Sequence, residues 1–205
     1  MNLNISLLQK KFGKNIRINE NLSKYSWFNL GGAADIFFKP ENKDQLTKFL
    51  KEIKDFKIHI LGAGSNTLIR DCGVKGAVIK LGSKFSGIKL LAKDMIEVGA
   101  ASLDRRVAEF ALNNDIANME FLSCIPGSIG GAIVMNSGCY GTDISKILLS
   151  IRVIDENGKE KEIKSDEIKF YYRGTNLPQN FIILSAVLKG HISSKKIIIK
   201  KQEEL

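Results

Sequence analysis

The 205-residue sequence predicts an α+β fold, and three observations carry that expectation. Strand and helix patterns follow one another over residues 35–61, as in a strand–helix–strand unit. A hairpin signal stands at Asn157-Gly158, which brings antiparallel pairing into the same chain. No internal repeat or low-complexity linker divides the sequence into an array. In order, Asp35–Lys39 reads as a strand stopped by Pro40. Residues 42–54 read as a helix, with Asn42 as N-cap and Leu46, Phe49, Leu50 and Ile53 at helical spacing. Ile58–Leu61 is a short buried strand running into a glycine turn, and "GAVIKL" and "MIEVGA" are further strands. "SLDRRVAEFALNND" is a helix capped by Ser102, with Leu103, Val107, Phe110 and Ala111 on one face. "IRVIDENGKEKEI" alternates on both sides of its turn, and "FIILSAVLKG" supplies a closing strand. A weak boundary near Leu81–Lys93 divides residues 1–82 from 83–192 and leaves 193–205 as a tail.

Composition excludes several classes. With 44% hydrophobic and 26% charged residues the chain has the makings of a packed core. No apolar run approaches the roughly 20 residues of a spanning helix. The start, "MNLNISLLQKKFG", lacks a basic region followed by an apolar one, so no secretory signal is expected. Cys72, Cys124 and Cys139 are odd in number and match no metal-ligand spacing, which points to reduced thiols in a cytoplasmic protein. His59, in a strand, and His191, near the end, suggest no metal pair, and no metal site is expected. The net charge of +9 invites a nucleic-acid reading. The lysines are spread along the chain without a basic face or interleaved aromatics, so neither nucleic acid nor membrane is expected as a partner. Such a surface favours a small anionic ligand through long-range steering.

Two glycine-rich stretches are the candidate site. Gly62, Ala63, Gly64, Ser65 and Asn66 follow a strand, where N–H groups can converge on an anion. A tight connection between two strands explains the same residues. A dinucleotide fingerprint does not, because its third glycine would fall at Thr67 and no amphipathic helix follows. The second stretch is "IPGSIGGAIVMNSGCYG", residues 125–141. Pro126 holds Ile125 extended, and Gly127 and Ser128 can then present bare N–H groups. Residues 129–135 read as a short helix whose N-terminus faces the same place. Gly130 and Gly131 permit close approach of a backbone or a flat ligand, and Asn136 to Gly141 form a second turn. Paired loops of this kind fit a diphosphate; two tight turns around a packed helix are the alternative. Trp27 reads as a core anchor and Cys139 as a small residue serving sterically.

Four motifs, "SWFNLGGAAD", "LGAGSNTLIRDCGVKGAVI", "MEFLSCIPGSIGGAIVMNSGCYG" and "FYYRGTNL", occur in the order seen in UDP-N-acetylenolpyruvoylglucosamine reductases, which the chain resembles from Tyr25 to Lys189. The resemblance implies the two-subdomain FAD-binding fold of the vanillyl-alcohol-oxidase type, with FAD between the subdomains. It implies that Gly62–Asn66 and Ile125–Gly131 embrace the FAD diphosphate, and that Asn136–Gly138 lie close to the flavin. It implies a UDP-sugar substrate, NADPH as hydride donor, Arg173 as the catalytic arginine and Tyr172 as a residue shaping the substrate site. The activity belongs to peptidoglycan precursor synthesis, hence to cell-wall biogenesis, cell shape and division. The chain departs from the family at its end, "HISSKKIIIKKQEEL". The family's substrate-binding domain, with its proton donor and assisting glutamate, finds no match, and Ser193 and Glu204 are no substitutes. A truncated or split form is therefore expected, either completed by a separate chain supplying that domain or acting as a catalytically incomplete FAD-binding module. Ile197, Ile198 and Ile199 are expected to be exposed in the tail.

Overall fold

The computed structural model describes residues 4–54 and 56–205. Residues 1–3, the first of the segment read as lacking a secretory signal, lie outside them. Helix α1 (Ile5–Phe12) leads into a four-stranded sheet of β1 (Ile16–Asn21), β2 (Ala33–Phe38), β3 (Ile58–Ile60) and β4 (Val74–Ile79), in the order β1-β2-β4-β3. β1 is antiparallel to β2, whereas β2, β4 and β3 are parallel neighbours. The connection between β2 and β3 is α2 (Lys43–Glu52). It starts where expected, the Asn42 side chain accepting from the Gln45 N–H at 2.9 Å. Its apolar stripe buries Leu46, Phe49 and Leu50. Phe49 stacks on Phe38 at 3.9 Å between ring centres, and Phe12 meets both edge-on. β3 is not the buried strand expected. It lies at the sheet edge and leaves Ile60 41% exposed.

The second sheet is antiparallel throughout. β5 (Ile88–Ala92) and β6 (Met95–Gly99) precede α3 (Asp104–Asn113), the short β7 (Ile116–Ala117) and α4 (Ile129–Val134). The two-residue ladder β8 (Gly138–Cys139) with β9 (Thr142–Asp143) is followed by β10 (Leu148–Ile154) and β11 (Glu160–Lys164). A small hairpin, β12 (Phe170–Tyr171) with β13 (Gly174–Thr175), precedes β14 (Ile182–Lys189), β15 (His191–Ile192) and α5 (Lys195–Glu203). The five-stranded order is β11-β10-β14-β6-β5. The β10–β11 hairpin turns where the sequence places it. The Asp155 carbonyl accepts from Gly158 N at 2.9 Å, and the Asp155 side chain accepts from Asn157 N and Lys159 N.

Two expectations are corrected here, the Ser102 cap and the exposed tail. Ser102 does not cap α3: Leu103 occupies that position, and its backbone bridge to Ser128 keeps it out of the helix. Leu103 is consequently 48% exposed, and the buried face is Asp104, Val107, Ala108 and Ala111. Near Leu81–Lys93 the chain passes from the first sheet, which ends at Ile79, to the second, which begins with β5 at Ile88; the exposed Leu90 and Leu91 hide the alternation of β5 in the sequence. The tail is a helix, α5. A helical period can seat only one of three consecutive isoleucines inside, and it seats Ile198 while Ile197 and Ile199 remain exposed.

The two sheets share an apolar layer. Leu8, Phe38, Phe49 and Ile79 belong to one continuous buried cluster with Ile154, Ile182 and Leu184 of the second sheet. A larger cluster packs α3, α4 and residues 119–122 on the other face of that sheet. Among the described residues no helix is long and apolar enough to cross a membrane.

Candidate functional site

Parallel strands put their carboxyl ends on one edge, where ligands of such sheets gather. Gly62 to Asn66 leave the carboxyl end of β3 there, and Lys80 leaves β4 beside them. The Lys80 ammonium donates to the Gly62 carbonyl. Burial, and secondarily the charge of Lys39, hold Lys80 below the usual lysine range. Gly64 must be glycine: its φ is +79°, and a Cβ would stand 1.9 Å from the Tyr25 carbonyl oxygen. Trp27 N donates back to the Gly64 carbonyl at 3.0 Å. Trp27 is therefore no core anchor. The backbone bond fixes residues 26–28 over the loop and turns the indole outward, 62% exposed. Among the described residues, the N–H groups of Gly62 through Asn66 have no backbone acceptor.

The second loop is held by residues 100–104. Asp104 N donates to the Gly127 carbonyl at 3.2 Å, Ile129 N to that of Ser102 at 3.0 Å, and Gly130 N to that of Ala100 at 2.9 Å. This commits the first N–H groups of α4 to the protein itself and corrects the expectation that they face a ligand. Gly127 and Ser128 keep N–H groups without a backbone acceptor among the described residues. The two loops face each other: a Cβ on Gly62 would lie 2.9 Å from Ser128 Oγ. A Cβ on Gly131 would meet only that same oxygen, at 3.9 Å, so space remains there. Gly130 and Gly138, by contrast, are filled by their own surroundings, Ala100 and the Thr142 carbonyl respectively.

Beneath this loop lie Ser102, which the sequence marked only as a helix cap, and Asp104, which it left unmarked. Asp104 is fully buried, and among the described residues neither its carboxylate oxygens nor the buried Ser102 Oγ has a hydrogen-bond partner. Burial alone pushes the Asp104 carboxyl up to about 7. In sequence, an aspartate in the first turn of a helix reads as solvated.

At the other end of α4 the hairpin β12–β13 carries Tyr172 and Arg173 at its tip. Arg173 takes a left-handed φ of +59° and donates from Nη1 to the Gly138 carbonyl at 3.1 Å. Its Cζ lies 5.1 Å from the Tyr172 ring centre, and Tyr172 is 90% exposed. Buried Asn136 ties the turn to the hairpin: Nδ2 donates to the Tyr171 carbonyl at 3.2 Å, and Oδ1 accepts from Ser145 N. Thr175 Oγ1 adds a bond to the Val134 carbonyl. Cys139 lies between; its thiol is pushed up mainly by burial, against the nearby Arg173 charge. Six-residue α4, about 9 Å long, thus runs from a pair of N–H-rich loops to the turn whose Gly138 carbonyl holds Arg173. An open gap between free N–H groups suits a diphosphate, and the residues present fit the cofactor end of FAD. His59 Nε2 contacts the Lys75 carbonyl and His191 is exposed, both away from these groups. Among the described residues no cluster of His, Cys, Asp or Glu is arranged to hold a metal.

A family profile described as "FAD binding domain" matches residues 34–164. The chain is 44% identical over 202 residues to the UDP-N-acetylenolpyruvoylglucosamine reductase of Pelagibacter ubique, covering 98% of this chain and 67% of that protein. It is 42% identical to the enzyme of the same name from Rickettsia massiliae, over 90% of this chain and 63% of the relative. The chain therefore spans about two thirds of the length of these relatives. Among solved structures, the UDP-N-acetylenolpyruvylglucosamine reductase of Thermus caldophilus superimposes with a TM-score of 0.82 at 27% identity, covering 92% of this chain and 68% of that one. An alkyldihydroxyacetonephosphate synthase, at TM-score 0.62 and 13% identity over 92% of this chain and 40% of its own, shares the fold alone.

Proposed function

Because the chain belongs to the UDP-N-acetylenolpyruvoylglucosamine reductase family and carries its FAD-binding domain, we propose that it is the flavin-holding part of an enzyme that reduces the enolpyruvyl ether of UDP-N-acetylglucosamine to UDP-N-acetylmuramate. NADPH is the hydride donor, and the reaction serves peptidoglycan precursor synthesis in the cytoplasm. The observation that carries this reading is the opposition of Gly62 and Ser128 at one end of α4 with Arg173 fixed at the other.

When bound at these loops, FAD would supply hydride chemistry between the nicotinamide donor and the enolpyruvyl double bond. The chain's own residues do the rest. Free N–H groups on Gly62–Asn66 and on Gly127–Ser128 hold the diphosphate, with Lys80 adding positive charge behind Gly62. Gly131 leaves room for the cofactor beside α4. The Arg173 guanidinium is permanently charged and planar, and it pairs with the substrate carboxylate as negative charge accumulates there. Its bond to the Gly138 carbonyl and the Asn136–Tyr171 tie keep it in place without reorganisation. Tyr172 walls the substrate side.

A second reading is favoured by the 90% exposure of Tyr172. The hairpin tip stands open to water, so these residues act as an FAD-binding module until a further domain closes over them and protonates the intermediate. One experiment separates the two. The purified chain is desalted, its visible absorption recorded, and product formation measured alone and with the unmatched third of a relative. Flavin absorption with turnover by the chain alone overturns the second reading and leaves the first standing. Flavin absorption with turnover only after addition supports the second, since loss of a positioned acid costs about 100- to 10,000-fold. No flavin absorption after reconstitution with FAD overturns both.

A further inference from the structure

The segment 100–104 runs along residues 127–130 through three backbone hydrogen bonds and the Leu103–Ser128 bridge. That ladder presses the Asp104 carboxyl against the loop from inside. A Cβ on Gly127 would lie 2.5 Å from Asp104 Oδ2, so the carboxyl touches the backbone that offers its N–H groups to the diphosphate. Among the described residues neither carboxylate oxygen has a hydrogen-bond partner, and Asp104 is fully buried. Charged groups do not relieve it. Arg105 and Arg106 on α3 are exposed, and residues 100–103 and 125–128 contain no titratable side chain. The Gly62–Asn66 loop carries none either, and the cation behind it, Lys80, is engaged with the Gly62 carbonyl. An ionised carboxylate here would oppose an anion on the other side of one peptide unit, in a setting where water cannot screen it.

We propose that FAD binding is linked to a proton on Asp104: the diphosphate is accepted at Gly127–Ser128 only while the Asp104 carboxyl is neutral. This rests on the placement of FAD given above. Burial gives the carboxyl a titration point near neutrality, at about 7, so the linkage operates in an accessible pH range. Asp104 is a positioning residue in this account. It acts through the loop, and its state decides whether the loop attracts or repels the cofactor.

The test uses the full chain and FAD, with binding followed by flavin fluorescence from pH 5.5 to 9. FAD phosphates are ionised throughout. The expected dissociation constant is flat up to about pH 7 and then rises by roughly tenfold per unit. Asp104→Asn is expected to bind with the low-pH affinity across the range. Calorimetry of the unaltered protein in two buffers of different ionisation heat gives a second readout independent of the variant's folding: about one proton taken up per FAD at pH 8 and none at pH 5.5. A flat wild-type profile with tight binding overturns the linkage and leaves the FAD placement standing. A slope that persists in Asp104→Asn, or the absence of proton uptake at pH 8, also overturns it. No binding at any pH sinks the placement and the linkage together.

Discussion

Gly62 and Ser128 face each other across the gap between the two glycine loops, so close that a methyl group on the first would stand 2.9 Å from the hydroxyl of the second. The first loop leaves the first sheet and the second leads into α4, which packs on the other sheet, so this opposition brings two distant connections together at the proposed anion cradle.

Substitution should separate that cradle from the fold. Gly62→Val meets only the end of a flexible side chain, and is expected to keep the melting temperature within a few degrees while weakening FAD at least ~10-fold, about 1.4 kcal/mol. Gly64→Val places a branched side chain at φ +79° against the Tyr25 carbonyl and is expected to destabilise the chain itself. Thermal melts and flavin fluorescence titration read the two effects. Wild-type affinity in Gly62→Val would put the diphosphate elsewhere.

Arg173 sits where glycine would be comfortable. Its φ of +59° costs about 1 kcal/mol, offset in part by the bond to the Gly138 carbonyl. Arg173→Gly is therefore expected to melt above Arg173→Ala, while both abolish reduction of the sugar nucleotide and retain FAD. Equal activity in the Arg173→Ala protein, assayed with the unmatched third of a relative, would remove the arginine from the chemistry.

Stability should fall with pH through Asp104. An unfolded aspartate titrates near 3.8, the folded one at about 7. Between these values the folded chain keeps a proton that the unfolded chain has released, so this group's contribution is intact below 3.8 and is lost as pH rises to about 7, by about 1.4 kcal/mol per unit. Urea denaturation of Asp104→Asn and wild type should give similar stabilities at pH 4 and a more stable variant at pH 7. A constant gap would mean that Asp104 is ionised in the folded state.

The ion pair between Glu120 and Lys201 anchors α5. Glu120 is 3% exposed, its Oε2 is 3.4 Å from Lys201 Nζ, and its Oε1 has no partner among the described residues. Lys201→Met leaves a buried carboxylate without its cation and is expected to cost about 3 kcal/mol. Glu120→Gln in the same chain should recover a large part of this. Denaturant midpoints decide it, and limited proteolysis should release α5 first from the single variant.

Elements whose cause is local were legible. Asn42 with the stripe Leu46, Phe49 and Leu50 announces α2, and Asp155 to Lys159 announces the hairpin. The glycine loops were legible as loops, and the motif order connected them to FAD. What they do to each other was not, because the Gly62–Ser128 opposition depends on how two sheets pack. Asp104 escaped for the same reason: it is buried by a loop from another part of the chain, and no local pattern announces such a contact. α5 was hidden by three adjacent isoleucines, which look like an exposed run until the helical period selects Ile198.

The apolar layer shared by the two sheets has a consequence for how the protein can be taken apart. Phe38 and Phe49 pack in one cluster with Ile154, Ile182 and Leu184, so removing either sheet strips the other of its hydrophobic cover. The two halves are therefore expected to melt in a single transition, with neither exchangeable as an independent module. A cradle whose arms come from both halves is thereby protected from partial assembly, since a chain that has folded one arm has necessarily folded the other.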